Sequence, residues 1–88
     1  MGDKSNFTPM NPKKSLQKVI QEEEALGKKL AEETHVDLIY RGIGDLDNSI
    51  NSFKACVKLS LSSNIITRIP EIQLDKIEIL SLGRNKIK

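Results

Sequence analysis

Apolar residues recur along this chain at two different periods, and the change of period divides it. In KKSLQKVIQEEEALGKKLAEE, Leu16, Val19, Ile20, Leu26 and Leu30 fall close to one helical face, which predicts a capping helix over 13–34. Asn11 is the expected cap with Pro12 in the first turn, and Gly27 marks where the helix bends or stops. Glu22 to Glu24 precede Lys28 and Lys29, with Glu24–Lys28 at four residues and Glu23–Lys28 and Glu24–Lys29 at five, and read as a solvated face with weak ion pairs. The preceding MGDKSNFTPMNP has no period and carries two prolines, so 1–12 reads as a flexible arm.

The second half repeats itself. CVKLSLSSNII (56–66) and IEILSLGRNKI (77–87) carry one pattern at an offset of 21 residues. Leu59, Leu61, Asn64 and Ile66 correspond to Leu80, Leu82, Asn85 and Ile87, with Cys56 and Ile77 in the leading apolar slot. Together they satisfy L-x-x-L-x-L-x-x-N-x-L with conservative substitutions, the pattern of a leucine-rich repeat. A degenerate third copy lies upstream, with Val36, Leu38, Ile43 and Leu46 laid on Leu59, Leu61, Ile66 and Ile69, and Arg41 in the asparagine slot. Terminal repeats are atypical because one face meets something other than a repeat. The expected fold is therefore α/β: a leucine-rich-repeat solenoid of short parallel strands over 35–88, with one degenerate and two clear copies. The last copy is incomplete, so the solenoid reads as truncated at its C-terminal end. The helix closes the other end, burying Leu16, Val19, Ile20 and Leu30.

Each slot has a physical task. Leu59, Leu61, Leu80 and Leu82 point inward from short strands and stack copy on copy, each contributing about 1.5–3 kcal/mol when fully buried. Asn64 and Asn85 follow the strands where the chain turns, and their amides can bond backbone groups that the turn would orphan. Ile50 with Phe53, and Ile72 with Leu74, complete the core from the far side, and Pro70 marks a turn. The outward positions form the candidate partner-binding strand face: Asp37, Ile39, Lys58, Ser60, Ser62, Ile79, Ser81 and Gly83. Small residues and exposed isoleucines suit protein binding better than catalysis. The open edge at Leu80 and Leu82 is expected to favour self-association.

Composition narrows the function classes. Fourteen Lys and Arg against twelve Asp and Glu give +2, too balanced for a chain that works by neutralising phosphates, so no nucleic acid is expected. No apolar run approaches the length of a membrane span or a signal peptide, so a soluble protein with no membrane partner is expected. Gly2 lacks the Ser or Thr of a myristoylation signal, Asn6 standing there. One cysteine and one histidine make neither a disulfide nor a closed zinc site, and a reducing compartment is the simpler reading. Cys56 occupies an apolar slot, where burial raises a thiol pKa, so a nucleophile–base pair with His35 is not expected. The GIG at 42–44 lacks the lysine of a phosphate loop, and Asp45 and Asp47 read as solvated turn residues. No catalytic residue, metal ligand or cofactor emerges, and the chain reads as no enzyme.

KLSLSSNIITRI followed by EILSLGRNKIK resembles the leucine-rich-repeat light chains of outer-arm axonemal dynein, and LSLGRNKIK carries most of the match. The order also agrees: a short helix, a first strand resembling VDLIY, then C-x-K-L-S-L-S-x-N. The resemblance covers 15–88. It implies a non-catalytic subunit that binds a dynein heavy chain near its microtubule-binding stalk, any contact with tubulin being indirect. It implies a cytoplasmic, cytoskeletal place in the axoneme of a cilium or flagellum, with ATPase activity belonging to the heavy chain. Two departures stand out: the loop between the clear copies is one residue shorter than in that family, and the family's later repeats and C-terminal helix have no counterpart within the 88 residues. The alternative is a generic leucine-rich-repeat adaptor or regulatory subunit, of the phosphatase-regulating or ribonucleoprotein-assembling kind.

Overall fold

Ser15 begins the helix. Its hydroxyl oxygen accepts a hydrogen bond from the Lys18 N–H at 3.1 Å, satisfying an amide that the first turn leaves without an intrahelical partner. The computed structural model describes residues 13–87, and in it the helix α1 spans Leu16–Ala25. The arm over 1–12, with the Asn11 and Pro12 cap, lies outside the described residues. Five short strands accompany the helix: β1 Lys14–Ser15, β2 His35–Asp37, β3 Ile43–Asp45, β4 Lys58–Ser60 and β5 Ile79–Ser81.

The helix expected over 13–34 is thus shorter at both ends. At its front, Lys14 and Ser15 are extended and β1 pairs in parallel with β3. At its back, the Gly27 N–H donates to the Glu24 carbonyl at 2.9 Å and the Lys28 N–H to the Glu23 carbonyl at 3.2 Å, the two bonds of a Schellman ending. Gly27 holds φ at +90°, where a side chain is strained. Gly27→Ala is therefore expected to cost about 1 kcal/mol, lowering the melting temperature by roughly 4–8 °C in circular dichroism. Leu26, assigned by its spacing to the apolar face, lies past the last helical turn and is 74% exposed. Leu30 is buried, but from a separate 3₁₀ turn at Leu30–Glu32.

The main sheet is parallel, in the order β2-β4-β5. Its register sets Val36 beside Leu59 and Leu59 beside Leu80, so residues that the repeat aligns are neighbours across the strands. Alternation then turns Val36, Leu38, Leu59 and Leu61 into one buried layer. Behind it lie Leu16, Val19 and Ile20 of α1, Ile43, and Ile50 and Phe53 at the 3₁₀ turn Asn48–Ser52; Ile66 and Leu74 are also buried. The result is a mixed α/β fold of short parallel strands and one helix.

Asparagine side chains join the successive turns. Asn64 Oδ1 accepts from the Arg41 and Ile43 N–H groups at 2.8 and 3.1 Å, while Nδ2 donates to the carbonyls of Leu38, Leu61 and Ser62. Asn85 repeats this one turn later, accepting from the Ile66 N–H and donating to Leu61, Leu82 and Gly83. The residues before Arg41, Asn64 and Asn85, namely Tyr40, Ser63 and Arg84, are left-handed, with φ between 57° and 59°. That conformation swings the chain out of the strand and sets the next residue over the turn.

Several slot assignments need correction. Leu80 and Leu82 are only half-buried, and Ile87, assigned to the core, is exposed, because no further turn packs on the last one among the described residues. Ile69 is also exposed although its counterpart Leu46 is buried; Leu46 belongs to the turn that the helix covers. Glu23, read as part of a solvated face, is 6% exposed and paired with Arg41 Nη1 at 2.6 Å and Lys28 Nζ at 2.9 Å. The arginine in the degenerate asparagine slot thereby fastens the first turn to α1.

Candidate functional site: the outward strand face

The parallel register places the outward side chains of β2, β4 and β5 in rows. One row is His35, Lys58, Ile79, and the next is Asp37, Ser60, Ser81. The ladder continues past the strands, since the Tyr40 N–H donates to the Ser62 carbonyl at 3.2 Å and the Ser63 N–H to the Gly83 carbonyl at 2.9 Å. Ile39, Ser62 and Gly83 consequently follow as a third row. Asp37, Ile39, Lys58, Ile79 and Gly83 are exposed, and Ser60, Ser62 and Ser81 are half-exposed. The middle of the face is therefore low and small-chained, with isoleucines at opposite corners.

A shallow groove of about 240 Å³ runs between β2 and β4, lined by His35, Asp37, Ile39, Lys58 and Ser60 over Val36. Lys58 makes no ion pair among the described residues, whereas one Asp37 carboxylate oxygen accepts from the Ile39 N–H at 3.2 Å. One member of this surface was missed from sequence: His35, which the register sets beside Lys58; Tyr40, at the left-handed turn after Ile39, is 84% exposed. Strand parity from Asp37 would have found His35. A second groove, about 410 Å³, lies between β3 and the Thr67–Pro70 segment, lined by Lys13, Asp45, Thr67 and Arg68 among others; it is polar and shares no residue with the strand face.

The remaining reactive groups are occupied structurally. Cys56 is buried, and its thiol donates to the Lys58 carbonyl at 3.2 Å. Burial pushes the Cys56 pKa up against smaller opposing effects of the Val36 and Lys58 backbone. His35 Nδ1 instead meets the Thr34 hydroxyl at 3.1 Å, so the two are not a nucleophile–base pair. Asp47, expected to be solvated, accepts from the Ser49 N–H at 3.0 Å and from the Gln17 N–H of α1 at 3.3 Å. It caps one turn and ties it to the helix. No group of three or more metal-ligating side chains occurs among the described residues, and no described helix is long and apolar enough to cross a membrane.

Comparison with known proteins points one way. No family model matches the chain, and no solved structure matches it. It is similar to axonemal dynein light chain 1 of Ciona intestinalis, 42% identical over 69 residues, which is 75% of this chain and 36% of that protein. The human protein of the same name is 39% identical over 69 residues, with the same shares. That of Chlamydomonas reinhardtii is 32% identical over 72 residues, 81% of this chain and 36% of its own length. The match thus spans about a third of the relatives' length, and these relatives are of the light-chain kind that the repeat sequence resembles.

Proposed function

We propose, from the similarity to axonemal dynein light chain 1, that this chain is a non-catalytic, protein-binding subunit of an axonemal dynein motor complex. In this reading the stacked turns are leucine-rich repeats at the N-terminal end of a solenoid, capped by α1. Their outward strand face docks on a dynein heavy chain in the axoneme of a cilium or flagellum, and supports motility without turning over a substrate. The observation that carries the reading is the in-register face itself, small-chained at its centre with Ile39, Lys58 and Ile79 exposed around it. Such a surface offers area and shape without convergent reactive groups.

The test is a quantitative pull-down of outer-arm dynein heavy chain from axonemal extract by the tagged chain. Lys58→Glu with Ile79→Asp is expected to lower capture by about tenfold or more, since it reverses one exposed charge and puts another on an apolar contact of the docking face, without changing the circular dichroism melt. Unchanged capture would remove the face from the interface. Recovery of a phosphatase or a ribonucleoprotein in place of dynein would favour the adaptor reading.

A further inference from the structure

We infer that the outer edge of β2 takes up one extended segment of the partner polypeptide as an added strand, with a carboxylate side chain of that segment set beside His35 and Lys58. This rests on the docking role of the strand face and specifies how the partner is held. Thr34 accepts from the Val57 and Lys58 N–H groups, the Leu38 N–H donates to Ser60, and the Tyr40 N–H donates to Ser62. In a parallel strand both backbone groups of a residue point the same way, and successive residues alternate. The N–H and carbonyl of His35 and Asp37 therefore face away from β4, toward a side where β2 has no strand neighbour among the described residues. Helix α1 packs chiefly on β1, β3 and the two 3₁₀ turns rather than on β2.

An open strand edge is a template for another extended chain and a poor seat for a helix, whose backbone groups are already paired. Side-chain chemistry sets the preferred character of that chain. The groove beside the edge carries His35 and Lys58, and Lys58 has no ion-pair partner among the described residues. The Asp37 carboxylate, which accepts from the Ile39 N–H, stands in the next row, so the segment's own carboxylate fits beside His35 and Lys58 and not opposite Asp37. An incoming carboxylate can reach the lysine from the open side, and Ile39 and Tyr40, both exposed, give the segment an apolar and aromatic end to pack on. Aromatic anchors of this kind are typical of binding hot spots.

Amide exchange by NMR, measured on the chain alone and with outer-arm dynein heavy chain, tests the edge directly. Exchange at His35 and Asp37 is expected to slow about tenfold or more in the complex, as for amides entering a strand ladder. Asp37→Pro, which removes the outward donor, is expected to weaken capture about tenfold, and Asp37→Ala, which keeps it, less than about threefold. Lys58→Glu is expected to weaken capture and flatten its salt dependence. A complex that forms with unchanged exchange at both amides overturns the added strand and leaves the heavy-chain assignment standing. A chain that binds no heavy chain removes that assignment and the inference together. Protection that rises with the concentration of the chain alone would make a second copy the occupant and overturn the proposal. If Asp37→Pro does not fold, the exchange data on the unmodified chain decide.

Discussion

Asn64→Leu is expected to destabilise the protein by about 3 kcal/mol, because the buried Ile43 N–H and the part-buried Arg41 N–H lose their acceptor at once and each such loss costs about 1–3 kcal/mol. Asn64 is 5% exposed, and its side chain makes five hydrogen bonds to two backbone segments, 38–43 and 61–62. Leucine has the same branching and a larger volume but satisfies none of them, and water has little access to replace it. Asn85 is the internal control: the same motif, half-exposed, with four bonds. Asn85→Leu is expected to cost only about 1 kcal/mol, since solvent can rehydrate the freed groups. Domains of this size hold about 0.05–0.15 kcal/mol per residue, so the first change removes a large share of the total and the second a modest one. Urea denaturation followed by circular dichroism measures both. Equal losses at the two positions would mean that burial of the amide is not what sets its value.

The difference between these two asparagines shows what was legible in the sequence. Their equivalence is a matter of spacing, and a parallel register preserves spacing, so Val36, Leu59 and Leu80 line up as the repeat aligns them. Their inequality depends on what packs over each turn, which no local pattern records. The same holds for the helix. Leu30 keeps helical spacing with Val19 and Leu26 by coincidence, while the positive φ of Gly27 stops the helix between them. Glu22, Glu23 and Glu24 are the same letter three times; helical spacing from Leu16, Val19 and Ile20 puts Glu23 on the buried face, while its partner Arg41, eighteen residues on, follows from no local pattern. Of the strand face, Lys58, Ile79 and their neighbours followed from alternation, but His35 precedes the first recognisable apolar slot and was passed over. The left-handed turn at Tyr40, Ser63 and Arg84 had no glycine or asparagine to announce it, because the chain adopts it under tertiary constraint.

Arg41→Ala is expected to cost about 2 kcal/mol and to blunt the acid sensitivity of the fold. A buried carboxylate stripped of its partner costs about 3–5 kcal/mol, but Glu23 keeps Lys28 at 2.9 Å and Arg41 is itself partly exposed, which lowers the figure. The cluster extends to Glu22, held by Lys14 at 3.0 Å and by Arg41 at 3.5 Å. Hydrogen bonds from Lys28 and then Arg41 hold the Glu23 carboxyl below its ordinary value of 4.5, and the bond from Lys14 does most to hold Glu22 below the same value. Carboxyls that are more acidic in the folded than in the unfolded chain stabilise the fold fully above that ordinary value. The contribution is lost as pH falls through the depressed folded values. Melting temperature is therefore expected to be steady from neutrality down to about pH 5 and to drop below it, more steeply in the unmodified chain than in Arg41→Ala. The slope shrinks without vanishing, because Lys28 and Lys14 remain and Lys28 is the larger influence on Glu23. Added salt should narrow the gap between the two proteins only partly, since a pair with one buried member is screened less than a surface pair. Superimposable pH profiles would mean that Arg41 does not hold the helix to the first turn by charge, and that the contact there is packing alone.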